Sequence, residues 1–297
     1  MKHTLKEYLL ATRPWSFVVS AMPVMITTAY LFSEGYSVNW WMALWALVGI
    51  ILFHAAGNTL SDYYDYMRGV DAEDTQGATM LRDGVFTPAE MRQYAHVLLF
   101  VACVSGGAMV FFAGYELLII GLLGAALAAG YSWLKFHALG DVDVLLNFGI
   151  LPALGTSLMV TGDVVWSSLW VVPMFVPITM AVLHSNNTRD VACDRRAEIT
   201  TLPMLIGKKA SMWLYYIEVL LPVVWIILCV AIERVDYMAA FGILSLKVAL
   251  RNLRQMHAFK DDEHAIDNLD QMTAQQQLIC GLLLTVSLLV AGVIRLL

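Results

Sequence analysis

The chain has 297 residues, 59% hydrophobic and only 14% charged, with a formal net charge of −6 and a mean hydropathy of +0.68. A soluble domain carries roughly a quarter charged residues, so a water-soluble globule is excluded. The deficit runs along the whole length, which excludes a single membrane anchor as well.

Runs of about 20 residues with few charges are what a bilayer-spanning helix requires. They recur at 14–32, 40–57, 94–113, 117–134, 144–160, 169–184, 210–232, 237–250 and 278–294. Nine spans are therefore predicted, the eighth having the shortest uncharged centre because Asp236 and Lys247 flank it. Lys2, Lys6 and Arg13 give the first run a basic start. No small-residue cleavage site closes it, so it reads as a span and not a signal peptide. Cys103, Cys193, Cys229 and Cys280 show no paired spacing; three fall in spans, where a thiol acts as a small hydrophobe.

Topology follows Lys and Arg, not net charge. The N-terminus and the stretches near 58–92, 132–143, 185–209 and 247–277 alternate with short connections, and they hold 16 of the 18 basic residues. Only Arg234 and Arg295 fall on the other side. The bias predicts a cytoplasmic N-terminus, cytoplasmic long loops and an outside C-terminus. The expected location is the plasma (inner) membrane of a bacterium. The chain reads as a single polytopic domain, residues 1–297, with functional loops 58–92 and 185–209.

The second span runs into a polar end bearing Asn58, Asp62, Asp65, Arg68 and Asp71. Asn58, Asp62 and Asp65 stand at i, i+4 and i+7, one face of a helix. The sixth span ends similarly in Asn186, Asn187, Arg189, Asp190 and Asp194, with Asn186, Asp190 and Asp194 at i, i+4 and i+8. Both clusters carry Asn-x-x-x-Asp on an inward-running span, which suggests two four-helix halves with a ninth helix appended. Hard carboxylate and amide oxygens suit Mg²⁺, which is usually shared with substrate phosphates. Two such clusters can hold two or more ions around a leaving diphosphate. Arg68, Lys135 and Arg189 are placed to bind phosphate oxygens.

On these residues the chain resembles the UbiA superfamily of intramembrane prenyltransferases, within it the 1,4-dihydroxy-2-naphthoate polyprenyltransferases (MenA type). The similarity extends over nearly the whole chain. Its motifs are Arg13-Pro14; Asn58 with Asp62, Asp65 and Gly69-Val70-Asp71; Tyr131 with Lys135; Leu139-Gly140-Asp141; Asn186-Asn187 with Arg189-Asp190 and Asp194; and Thr201-Leu202 with Gly207. Three departures stand out. Ser61 replaces the usual Asn, Phe136-His137-Ala138 replaces a more typical Tyr-Arg-Gly, and Asp141 is one methylene shorter than the usual Glu.

The resemblance implies an all-α membrane protein, nine transmembrane helices around a central cavity open sideways to lipid. It implies Mg²⁺ held by Asn58, Asp62, Asp190 and Asp194, with Asp65 and Asp71 supporting. Asp62, Asp65, Asp190 and Asp194 are then the catalytic set. Arg68, Lys135, Arg189, Tyr131 and Asn187 are the substrate-binding set. The implied reaction joins a polyprenyl group from its diphosphate to dihydroxynaphthoate with loss of CO₂, giving a demethylmenaquinol. Another aromatic acceptor such as 4-hydroxybenzoate is the alternative. The expected partners are polyprenyl diphosphate, the acceptor and membrane lipid, with no nucleic acid.

Other polar residues keep two readings each. Glu218, inside the seventh span, either faces the cavity or pairs with a polar neighbour. His54 and His184 line the cavity or pack through hydrogen bonds, in preference to binding metal. The acidic stretch Lys260–His264 with Asp267 and Asp270 reads as a solvated loop. An ion-coupled transporter is the competing class, but transport sites sit near the midplane and these acids cluster at the cytoplasmic ends.

Overall fold

Capping chemistry starts the helices at the motif-bearing end of the molecule. Thr4 and Glu7 form a capping box at the head of α1 (Leu5–Ala11), the Glu7 N–H donating to Thr4 Oγ1 and the Thr4 N–H to Glu7 Oε2. Thr87 and Glu90 repeat it, with Pro88 in the first turn, where its missing N–H costs nothing. The computed structural model describes residues 3–67, 79–196 and 200–297, the side chains of residues 79, 131–133, 135, 136 and 196 excepted.

After α1 and a 3₁₀ turn at Pro14–Ser16 come α2 (Phe17–Ser33), α3 (Trp40–Met67), α4 (Thr79–Arg82), α5 (Pro88–Ala113) and α6 (Tyr115–Phe136). Then follow α7 (Gly140–Leu145), a π turn at Leu146–Ile150, α8 (Leu151–Thr161), a 3₁₀ stretch Trp166–Met174, α9 (Val176–Arg189) and α10 (Val191–Arg196). The chain ends with α11 (Leu202–Ala231), a 3₁₀ stretch Tyr237–Ser245, α12 (Leu246–Ala258), a short 3₁₀ turn and α13 (Leu269–Leu296). No strand occurs among the described residues, only an isolated bridge between His137 and Thr200. The π turn lies just before Pro152, whose ring cannot donate into the ladder and displaces the carbonyl four residues back.

Among the described residues six helices are long and apolar enough to cross a membrane, or seven if the Trp166–Met174 and Val176–Arg189 pair, bent by 44° beside Pro173, is one broken span. The nine predicted spans are not reached by length and composition. Helix α6 is described as apolar over Tyr115–Gly130 only. The eighth expected span is a 3₁₀ stretch leading into an amphipathic α12 that exposes Lys247, Arg251 and Arg254. Periodicity alone did not separate that polar face from an uncharged run.

The rods run alternately up and down, and hydrogen bonds tie their ends. At one end Arg13 pairs with Asp62, Tyr94 Oη donates to the Tyr8 carbonyl at 3.2 Å, and Arg189 meets Asp270. At the other, the Asn39 N–H donates to the Val160 carbonyl at 2.8 Å and Arg295 Nη1 to that of Ser33 at 2.8 Å. Helix α13 packs against α2 and α9, while α3 packs against α5, α2 and α8. Gly281 and Gly292 permit the α2–α13 approach, since a Cβ at either would overlap Met22 or Phe32. Outward faces carry exposed Phe100, Phe111, Leu122 and Val224. Apolar surface on that scale belongs in lipid, and the chain is an integral membrane protein.

Candidate active site

The first motif stands on an unbroken helix. Asn58, Asp62 and Asp65 all lie in α3, so the i, i+4, i+7 face expected from the sequence is realised. Asp62 is buried and Asp65 half-buried. Arg13, held at φ 54° just before Pro14, carries its guanidinium onto the Asp62 carboxylate. Asn58 Nδ2 donates to the Thr12 carbonyl at 2.8 Å and to Ser16 Oγ at 2.9 Å. Those bonds fix the amide so that its oxygen, the atom able to bind a cation, is the one they leave over. Ser61 Oγ donates to Asp65 Oδ2 at 3.2 Å, so the departure from the usual Asn supports that carboxylate. Arg68 and Asp71 lie outside the described residues.

The second motif spans a one-residue break. Asp190 caps α9, yet its N–H bonds the Asn186 carbonyl and its own carbonyl accepts from Asp194 N–H, both at 2.9 Å, which preserves helical register. Asp194 is buried and Asn187 half-buried. Arg189 turns toward protein acceptors: Nε and Nη2 grip Asp190 at 2.8 and 3.0 Å, and Nη2 also reaches Asn186 Oδ1 at 2.8 Å. Its Nη1 meets Asp270 Oδ1 at 3.1 Å and the Asp267 carbonyl at 3.2 Å. The acidic stretch read as a solvated loop is therefore docked on the second motif through Asp270. Tyr131 and Lys135 fall on α6, with side chains outside the described set.

The two motifs share one end of the molecule, although neither α3 nor α9 makes its main packing against the other. The donors are all oxygens, and a buried carboxylate already accommodates a positive charge at Asp62. That chemistry fits Mg²⁺.

Sequence reasoning passed over Arg13 as a site residue, and it named the members of a third cluster without joining them. Asp141 on α7, His184 on α9 and Glu218 on α11 bring one ligating atom each within 4.8 Å of one another. His184 Nδ1 lies 3.7 Å from Glu218 Oε1. His54, by contrast, packs as a bonded histidine between Ser16 and Ser20, edge-on to Phe17 and Phe148. The loop that delivers Asp141 is pinned by the Ala138 N–H on the Thr200 carbonyl at 3.1 Å.

Ala138 sits at φ 58°, a left-handed position that a glycine, as in the typical Tyr-Arg-Gly, fills without a Cβ clash. Ala138→Gly is expected to stabilise the protein by about 0.5–1 kcal/mol, read as a higher melting temperature in detergent. An unchanged or lower value would contradict that strain.

The profile of the UbiA prenyltransferase family matches residues 20–269. UbiA prenyltransferase domain-containing protein 1 of Danio rerio is 32% identical over 291 residues, 96% of this chain and 84% of that protein. Its Xenopus tropicalis counterpart is 31% identical over 288 residues, 95% and 81% respectively. Among solved structures, an apo UbiA homolog from Aeropyrum pernix K1 superposes with a TM-score of 0.70 at 15% identity, covering 94% of this chain and 98% of that one. A UbiA homolog from Archaeoglobus fulgidus, bound to GPP and Mg²⁺, gives 0.63 at 17%, covering 94% and 99%. With that match over most of its length, the chain belongs to the UbiA prenyltransferase family.

Proposed function

We propose that this prenyltransferase moves a polyprenyl group from its diphosphate to 1,4-dihydroxy-2-naphthoate, with loss of CO₂, giving a demethylmenaquinol. The observation that carries the diphosphate chemistry is the pair of oxygen-rich helix ends at one end of the molecule, with Asp62 and Asp194 buried. The naphthoate assignment rests on the motif resemblance, and 4-hydroxybenzoate is the acceptor it must beat.

Asn58, Asp62, Asp65, Asp190 and Asp194, with Asp71, would hold Mg²⁺, which supplies the charge neutralisation that a departing diphosphate needs. Arg13 pairs with the buried Asp62 carboxylate, and Ser61 orients Asp65. Arg189 holds the Asp190 carboxylate by two parallel hydrogen bonds. Arg68, Lys135, Tyr131 and Asn187 complete the proposed substrate contacts. The donor's apolar tail has no reason to leave lipid, so we place it in a central cavity with a lateral opening.

We further assign nine crossings, counting α6 and the rod from Tyr237 to Ala258. The N-terminus and both motif loops face the cytoplasm of a bacterial inner membrane, as the basic residues indicate. The transporter alternative loses its ground in a chain of a prenyltransferase family.

Purified protein incubated with Mg²⁺, radiolabelled polyprenyl diphosphate and a panel of aromatic acceptors is expected to give a product with dihydroxynaphthoate and release CO₂. Equal or better use of 4-hydroxybenzoate would overturn the acceptor assignment. No Mg²⁺-dependent product with any acceptor would overturn the reaction.

A further inference from the structure

Three helices from separate parts of the chain deliver Asp141, His184 and Glu218 to one point. His184 and Glu218 are 1% and 4% exposed. Among the described residues, neither Glu218 oxygen nor either His184 ring nitrogen makes a hydrogen bond, and Asp141 Oδ1 is likewise buried without one. The His184 ring approaches the Ser211 backbone, and its contact with Glu218 is ionic in range only. Burying polar groups unbonded costs about 1–3 kcal/mol each, more for charged ones, and ionisable groups in a membrane interior are a functional signature. Packing alone gives no reason to gather three of them.

Their placement is informative. His184 precedes Asp190 by six residues on the same rod, about 9 Å along the axis at 1.5 Å per residue. An aromatic ring reaching the allylic carbon of a diphosphate held at Asp190, the donor site proposed above, would fit within that interval. A ring bearing hydroxyls offers what the cluster lacks, O–H donors for carboxylate or imidazole and an oxygen to accept from whichever group carries a proton.

We propose that Asp141, His184 and Glu218 form the subsite that recognises a hydroxyl of the aromatic acceptor and holds its proton during transfer. The proposal rests on the prenyl-transfer reading and deepens it. The acceptor O–H proton passes to the cluster as the ring gains electron density. The ring carbon forms its bond to the allylic carbon, and the allylic C–O bond breaks with its electron pair leaving on the diphosphate. For a carboxylated ring, the C–CO₂⁻ bond then breaks, its electrons restore aromaticity and CO₂ departs. The cluster returns its proton to the ring oxygen, so no net proton is consumed. A bulkier, non-donating ether at that oxygen leaves the buried groups unbonded, the situation in which enzyme sites discriminate most strongly.

The test uses the full-length protein with Mg²⁺, labelled polyprenyl diphosphate, dihydroxynaphthoate and its two monomethyl ethers. The wild type is expected to use at least one ether about 10²-fold less well than the parent. Glu218→Gln, His184→Asn and Asp141→Asn are expected to lower kcat/KM for the acceptor at least about tenfold. They should leave the KM for diphosphate within about twofold and reduce the discrimination against that ether. The wild-type comparison needs no variant, so it stands even where a substitution impairs folding. If both ethers serve as well as the parent, or acceptor and diphosphate parameters move together, the subsite is elsewhere. Stoichiometric transition metal in the wild type, lost in His184→Asn, would overturn the proposal in favour of a metal centre. A wild type that prenylates no acceptor takes both this inference and the reaction down. Product formation with unaltered variants and ethers removes this inference alone.

Discussion

Asp62→Ala is expected to abolish Mg²⁺-dependent prenyl transfer, lowering turnover by about 10³-fold or more, while the protein still folds. The size follows from what the residue is. A preorganised group aimed at developing charge contributes about 2.7–4 kcal/mol to the barrier, some 10²–10³ in rate, and a carboxylate in the proposed role of holding the ion itself belongs at the upper end. Asp62 is 1% exposed and paired with Arg13. Breaking a buried ion pair costs about 3–5 kcal/mol because one charge is left stranded. Here the stranded partner is Arg13, whose side chain is 29% exposed and can turn to water, so the stability loss should fall below that range. Asp62→Asn separates the two effects. It keeps the volume and one oxygen but removes the charge, so activity should collapse while the melting temperature in detergent moves less than for alanine. Turnover of Asp62→Asn within about threefold of wild type would remove Asp62 from the catalytic set.

How much of this was legible in the sequence depends on the range of the interaction. The helical face of Asn58, Asp62 and Asp65 is a local property of one continuous helix, and spacing alone gave it. The orientation of Glu7 and Glu90 at their caps is equally local. The eighth span was read over 237–250 alone, and its amphipathic continuation to Ala258 was not, because the polar stripe of Lys247, Arg251 and Arg254 is separated from apolar neighbours only by helix phase. The long-range partners were invisible for a different reason. Arg13 and Asp62 are 49 positions apart by their numbers, and Asp141, His184 and Glu218 come from α7, α9 and α11. Nothing in a single sequence couples such positions until helices pack. A weak signal did exist for the cluster. Glu218 is an acid within an apolar run, and His184 sits shortly before the second motif; both were singled out without a partner. Asp141 was noticed as a departure in length, a change that moves a carboxylate by one methylene in a crowded site.

The same gap between local and long-range reading bears on the role proposed for Arg189. Its place beside Asp190 suggests phosphate binding, but a guanidinium has five N–H donors, and here it makes four hydrogen bonds to Asp190, Asn186 and the Asp267 carbonyl, with Asp270 in ion-pair range of Nη1. A residue so committed acts as a brace between the end of α9 and the start of α13. Arg189→Met should therefore lower kcat by about 10²-fold, since a small misplacement of a carboxylate in the proposed metal-binding role costs that much, with little change in the KM for diphosphate. Asp270→Asn, far outside both motifs in sequence, should lower kcat about tenfold by loosening the same brace. The decisive measurement is the double variant. If Asp270 acts only through Arg189, combining the substitutions should be no worse than Arg189→Met alone, a coupling of about 1.4 kcal/mol, the whole of the tenfold Asp270 effect. A phosphate-binding Arg189 predicts a different pattern: the KM for diphosphate would rise steeply in Arg189→Met, and Asp270→Asn would free the guanidinium and leave that KM unchanged or lower. Additive losses in kcat would dissolve the brace, because Asp270 would then influence the site by a route that does not pass through the arginine.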